Sequence, residues 1–156
     1  MQVEYETGSI SSAQFVSRIA DSIGKKLDVA DMLQAAADMF IPNPHILPVL
    51  ERVRDLGIPM GLISNTCEAH WKWIDELEYP QVRGWFAPVI LSYEIKSMKP
   101  DSFIYEEAQR HSAHDASGIF FTDDRLENVE AARRAGWTAE VFVNADRLMD
   151  TVQRWS

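Results

Sequence analysis

The sequence predicts an α/β fold, a parallel sheet with helices on both faces. Three observations carry that expectation. Short apolar runs at 58–64, 88–92, 118–122 and 139–143 alternate with stretches of helical periodicity at 68–77, 102–111 and 126–135. Runs of this kind suit strands covered on both faces, as crossover helices require. With 156 residues and 46% hydrophobic content, the chain is long enough to bury one core and too short for two independent domains.

The elements follow in order. Residues 11–40 carry two apolar stripes at helical spacing, Phe15, Ile19 and Ile23, then Val29, Leu33, Ala36 and Phe40, so two short helices broken near Gly24 are expected. Three prolines fall within 41–48, and Asn43 before Pro44 reads as an N-cap followed by proline at the first helical position. A boundary is placed there, with a helical segment over 1–42 and an α/β core over 43–156. The core opens with a helix carrying Ile46, Val49, Leu50, Val53 and Leu56, which Gly57 ends before the first strand. Gly136 stands where a C-terminal cap should close the helix over 126–135.

Charge and composition exclude several functions. Fifteen Lys and Arg against 24 Asp and Glu leave a net charge of −9, and no local run of basic residues offsets it. Nucleic acid and anionic membrane surfaces are therefore not expected partners. No apolar stretch approaches the roughly 20 residues needed to cross a bilayer. Glu4 and Glu6 occupy the region where an export signal would be basic and then apolar, so a cytoplasmic location is expected. Cys67 is the only cysteine, which rules out a disulfide within the chain and a multi-cysteine zinc site.

In such a Rossmann-like parallel sheet, ligands bind beyond the carboxyl ends of the strands. Three strands end in chemically specific residues: Ser64-Asn65-Thr66 after the first, Lys99-Pro100-Asp101 shortly after the second, and Asp123-Asp124 after the third. A hydroxyl with a helix-N-terminal amide can bind phosphate oxygens, a lysine can neutralise them, and an acidic pair can hold Mg²⁺. Each piece alone has an ordinary reading as a helix cap, a turn or a solvated pair. Their order and strand placement together describe a phosphoryl-transfer site.

On these residues the chain resembles the haloacid dehalogenase-like (HAD) hydrolase superfamily, whose ordered motifs are a strand-end Ser or Thr, a Lys and an acidic pair. It looks most like the subgroup of bacterial sugar-phosphate phosphatases and the N-terminal phosphatase domain of soluble epoxide hydrolases. The stretches 62–66, 91–101 and 120–128 carry the likeness, and Tyr5-Glu6-Thr7-Gly8-Ser9-Ile10 is similar to the family's helical cap. The resemblance implies that residues 1–42 are a partial cap and 43–156 the HAD-like core. It further implies that Ser64 and Asn65 contact the phosphoryl group and that Lys99 steadies it. Asp123 and Asp124 would bind Mg²⁺, with the direct ligand left open, and Asn128 would support the site. A small phosphorylated metabolite is the implied substrate, and the acidic pair favours a phosphatase over a dehalogenase. A response-regulator receiver uses similar residue types but places its acidic pair first and its lysine last.

One part of the family pattern is absent. Its members attack phosphate with an aspartate at the end of an N-terminal strand, with a second aspartate two residues later, and no Asp-x-Asp occurs in this sequence. Glu4-Tyr5-Glu6-Thr7-Gly8 imitates the spacing, but only three residues precede it, and glutamate reaches one methylene further. Without a nucleophile the chain is expected to be inactive. In the family the missing strand lies between those ending at Ser64 and Asp123, so its loss exposes two sheet edges. The sheet could then close on itself, form a homodimer through those edges or aggregate. Two histories fit, a truncated phosphatase starting at an internal methionine or a degenerate relative. We favour the first, because Ser64, Lys99, Asp123 and Asp124 make sense together only around a nucleophile. The alternative function is a non-catalytic phosphate-binding or protein-interaction module.

The remaining candidates have plainer readings. Cys67 could be activated by a helix start but fits a small packing residue better. His70 could face substrate, whereas His111 and His114 show no metal-ligand spacing. Trp71, Trp73 and Trp85 flank the polar segment Tyr79-Pro80-Gln81 and are expected to pack that connection. Tyr93 and Glu94 lie near the expected site without a derivable role.

Overall fold

The computed structural model describes residues 1–38, 40–41, 43–76 and 84–155. In chain order the longer helices are α1 (Gln2–Glu6), α2 (Ser12–Ile23), α3 (Val29–Ala37), α4 (Leu47–Asp55), α5 (Glu68–Glu76), α6 (Ser92–Ile95), α7 (Ser102–Ser112), α8 (Leu126–Arg134) and α9 (Ala145–Gln153). The strands are β1 (Met60–Ser64), β2 (Phe86–Leu91), β3 (Phe120–Asp123) and β4 (Thr138–Val141). The chain divides into two compact units. The first takes Ile63–Arg83 and Leu91–Met98 together with Met1–Pro42, and the second comprises Asn43–Leu62, Gly84–Ile90 and Lys99–Ser156.

In the first unit, α2 begins on a reciprocal cap. Ser11 Oγ accepts the Gln14 N–H at 3.3 Å, and Gln14 Oε1 accepts the Ser11 N–H at 2.8 Å. It ends at Gly24, whose positive φ closes the last turn. Asp28 then caps α3 through the Asp31 N–H, giving the two expected helices. Their buried face differs from the expected stripe: Val16 and Ala37 are buried, whereas Ile23 and Val29 are exposed because they are terminal residues of their helices. The core joins Tyr5, Ile10 and Cys67 to Phe15, Leu33 and Ala69, with the Tyr5 and Phe15 rings stacked at 4.4 Å. Glu4 and Glu6 lie on α1 rather than at a strand end, and Glu4 pairs with Arg18 at 3.0 Å.

Two close approaches tie this unit together. Gly8 has φ +64°, and a Cβ there would lie 2.1 Å from the Tyr93 carbonyl oxygen. Ser92, fully buried at the start of α6, accepts the Thr66 N–H at 2.9 Å and faces the carbonyl oxygens of Glu6 at 2.6 Å and Thr66 at 2.9 Å. Replacing Ser92 by alanine strands the buried Thr66 amide. Such an orphan costs about 1–3 kcal/mol, and a urea titration of Ser92→Ala should show a loss in that range.

The second unit is organised around its strands. Asn43 Oδ1 accepts the His45 N–H at 3.1 Å and opens a 3-10 turn over Pro44–Ile46 that runs into α4. Val49 and Val53 of α4 pack with Val152 of α9, and Ile46, Leu56, Met60, Leu148 and Met149 extend this cluster. β1 pairs with β2, and β3 pairs in parallel with β4 in the register Phe120↔Thr138 to Asp123↔Val141. No ladder joins the two pairs among the described residues. Helix α8 packs on β3 and β4, and Gly136 at φ +88° ends it as expected. Tyr105 sits at the centre of an aromatic cluster, 5.8 Å from Phe121 and 5.5 Å from Trp137, ring to ring. The strand ends fall within two residues of the expected bounds. Ser92 opens α6 rather than closing a strand, and Gly118 belongs to a 3-10 turn. Helix α9, capped by Asn144 on the Arg147 N–H at 2.9 Å, was not among the sequence expectations. Mixed α/β architecture, with parallel strands flanked by helices, is thus the fold class observed.

Candidate functional site

The end of β3 carries the most constrained polar cluster of the second unit. Lys99 Nζ donates to Asp123 Oδ2 at 2.6 Å, with the two side chains only 11% and 7% exposed. The other carboxylate oxygen, Oδ1, accepts the Arg125 N–H at 2.9 Å and the Asn128 amide at 2.9 Å. Burial by itself would raise the Asp123 pKa, but the Lys99 bond, the two N–H donors and the lysine charge together hold it below the usual carboxylate range. The Lys99 ammonium also stands 5.7 Å from the centre of the Phe121 ring.

Asn128 lies in the first turn of α8 and is buried. Its Nδ2 must face Asp123, because the reversed amide would set two acceptors against each other. That leaves Asn128 Oδ1 buried without a donor, an acceptor of the kind an ordered water satisfies. The backbone carbonyl of Asn128 accepts the Tyr105 hydroxyl at 2.9 Å. Burial, and secondarily the Asp123 charge, raises the Tyr105 pKa, so the phenol stays a donor. The chain Tyr105, Asn128, Asp123, Lys99 therefore runs from the core to the strand end. Sequence reasoning missed Tyr105; its signal is a tyrosine on an otherwise apolar helix face, which needs a partner for its hydroxyl when buried.

The other expected site residues are placed as follows. Asp124 is exposed, and its carboxylate makes no hydrogen bond or ion pair among the described residues. Ser64 ends β1 and Asn65 follows it; both are half-buried and belong to the first unit, whereas Lys99, Asp123, Asp124 and Asn128 belong to the second. Among the described residues no three His, Cys, Asp or Glu side chains gather as a metal cage. Of the acidic pair, only Asp124 keeps its carboxylate free among the described residues, and Mg²⁺ takes one or two carboxylates and completes its shell with water and phosphate oxygens.

Cys67 is buried, and burial pushes its thiol pKa up, as a packing residue requires. His70 is half-buried with its pKa lowered by burial, and its ring meets Phe40 edge-on at 5.0 Å. His111 and His114 are exposed. Burial and the neighbouring Glu94 push the Tyr93 phenol up to about 12, and its hydroxyl donates to Glu94 at 3.2 Å. Trp85 lies under the Arg54 guanidinium at 4.6 Å, and Trp71 and Trp73 are half-buried. Leu77 and the segment Tyr79-Pro80-Gln81 lie outside the described residues.

Fold and site together define an α/β protein with a lysine-neutralised acidic cluster at the carboxyl end of a parallel strand. The chain belongs to the haloacid dehalogenase-like hydrolase family, whose model matches residues 9–141. A glyceraldehyde 3-phosphate phosphatase from Methanopyrus kandleri is 29% identical over 97 residues, 61% of this chain and 40% of that protein. A sesquiterpene phosphatase from Aspergillus oryzae is 23% identical over 136 residues, 85% of this chain and 67% of that protein. This chain thus spans well under half the length of the first relative and about two thirds of the second.

Among solved structures, a HAD family enzyme from Bacteroides thetaiotaomicron, crystallised as an aspartate-to-alanine mutant with magnesium and inorganic phosphate, superposes with a TM-score of 0.83. It is 26% identical, with 91% of this chain and 75% of that one covered. A HAD-like hydrolase from Porphyromonas gingivalis shares the fold at a TM-score of 0.83 and 20% identity, with 98% of this chain and 77% of that one covered. No helix among the described residues is long and apolar enough to cross a membrane.

Proposed function

We propose that this chain carries the metal- and phosphate-holding part of a Mg²⁺-dependent phosphomonoester phosphatase site, and that by itself it does not turn substrate over. The observation that carries this reading is the Lys99–Asp123 pair fixed by Asn128 at the end of β3. Both Asp123 oxygens are engaged by the protein, so Asp124, whose carboxylate is free among the described residues, would be the direct Mg²⁺ ligand. When bound, the metal supplies neutralising charge to phosphate oxygens. Lys99 adds a second positive charge at the phosphoryl group. The phosphatase relatives and the magnesium and phosphate in the Bacteroides enzyme support this assignment. The absence of any Asp-x-Asp in the 156 residues leaves no attacking carboxylate.

A second reading, a non-catalytic phosphate-binding or interaction module that dimerises through its sheet edges, is favoured by the two separate two-stranded ladders. The deciding experiment combines calorimetric binding of inorganic phosphate, with and without Mg²⁺, and phosphate release from p-nitrophenyl phosphate. We expect Mg²⁺-dependent binding that weakens at least tenfold in Asp124→Asn, with no release. Binding indifferent to both Mg²⁺ and Asp124 would overturn the site assignment, and steady Mg²⁺-dependent release would overturn the inactivity.

A further inference from the structure

We propose that the second unit holds a separate site for a small organic anion, in a cavity of about 470 Å³ beside β4 and α9. The volume falls within the range of small-ligand pockets. Three arginines line it: Arg133 from α8, and Arg147 and Arg154 from α9 and its end. None of the three forms an ion pair among the described residues, although Glu140 and Asp150 line the same space. Neutral acceptors hold two of them instead. Arg133 donates through Nε and Nη2 to the Ala139 carbonyl at 2.9 and 2.7 Å, and Arg154 Nη2 donates to Thr151 Oγ1 at 2.8 Å. Thr151 in turn donates to Glu140 Oε2 at 3.2 Å, which occupies that acid without neutralising an arginine.

This arrangement leaves guanidinium charge without an ion-pair partner among the described residues and, for Arg133 and Arg154, already oriented. A carbonyl or hydroxyl acceptor fixes an arginine side chain and leaves its remaining N–H donors for a planar oxyanion. Orientation before binding reduces the ordering cost that a flexible arginine would otherwise bring. Three arginines against two acids leave one excess positive charge, on a chain whose net charge is −9. The two acids disfavour polyanions and offer acceptors for hydroxyl or ammonium groups. Val141 and Val143 supply a partly exposed apolar wall. The ligand class is therefore a short, hydroxylated or amino-bearing carbon chain with one carboxylate or phosphate head.

The cavity is distinct from the strand-end site. Thr122, paired in register with Glu140, lines it, whereas the next residue, Asp123, belongs to the Lys99 cluster. The lining of the cavity includes none of Lys99, Asp123, Asp124 and Asn128.

The test is a titration of the full chain in EDTA, followed by amide chemical shifts, with D-glycerate as the carboxylate probe and glycerol 3-phosphate as the phosphate probe. We expect submillimolar binding of at least one probe, shifts clustered over 139–154, and at least tenfold weakening in the Arg147→Gln/Arg154→Gln double variant. Both positions are exposed, and circular dichroism checks that the variant is folded. The probe that binds more tightly identifies the head group. Shifts confined to Lys99 and 123–125, affinity unchanged by the double variant, or no binding of either probe at 10 mM would each overturn the proposal, and the first of these would leave the phosphatase reading intact.

Discussion

Lys99→Met should lower the free energy of unfolding by about 3–5 kcal/mol, the usual cost of stranding one member of a buried ion pair. The pair is almost fully enclosed, and Asp123 without its lysine would keep only the Arg125 and Asn128 donors. Adding Asp123→Leu to Lys99→Met should recover most of the loss, because removing both charges also removes their desolvation cost. Urea midpoints for the two single variants and the double variant measure this coupling directly. A Lys99→Met loss below about 1 kcal/mol would mean that the contact behaves as a surface pair. The same pair sets a pH dependence. The folded Asp123 pKa lies below the unfolded value, so its contribution is complete above the usual carboxylate range and is lost as pH falls through the folded pKa. Acidification below about pH 4 should therefore lower wild-type stability by a component that the double variant lacks.

Gly8→Ala should be the most damaging single substitution tested in the first unit, at about 3 kcal/mol or more. Two effects add there. An alanine would be held at φ +64°, and its Cβ would lie 2.1 Å from the Tyr93 carbonyl oxygen, a backbone atom that can retreat only if α6 moves. Gly24→Ala is the matched control, with φ +66° but open space around the added carbon, so only the conformational cost of about 1–2 kcal/mol applies. Thermal unfolding of the two variants separates strain from collision, and equal shifts would show that the Gly8 contact has room to relax.

The strand ends were legible because an apolar run stops where a polar residue begins, and that alone placed Ser64 and Asp123 at the ends of β1 and β3. Lys99 was legible through its position after the second strand. What could not be read was how the side chains share partners. The sequence resemblance makes Asn128 a residue that supports the site, but its geometry with Asp123 depends on the first turn of α8 and on Tyr105, 23 residues earlier. In α2 and α3 the expected Phe15 and Leu33 pack on the core, whereas Ile23 and Val29 are exposed because they stand at helix ends, which periodicity does not fix. The arginine cavity left no trace in composition, since Arg133, Arg147 and Arg154 stand far apart and only the pairing of β3 with β4 gathers them.

The hydroxyl of Ser92 meets carbonyls that lie 86 and 26 residues before it in the chain, and this constrains how the protein is made. A ribosome delivers residues 1–42 before 63–83 and 91–98, yet all three segments belong to the same unit. At about 5–20 residues per second, the apolar face around Tyr5, Ile10 and Phe15 waits several seconds for the residues that cover it. The first unit cannot finish folding in the order in which it is synthesised. Its early helices remain open to chaperones, or to other nascent chains, until α6 has emerged.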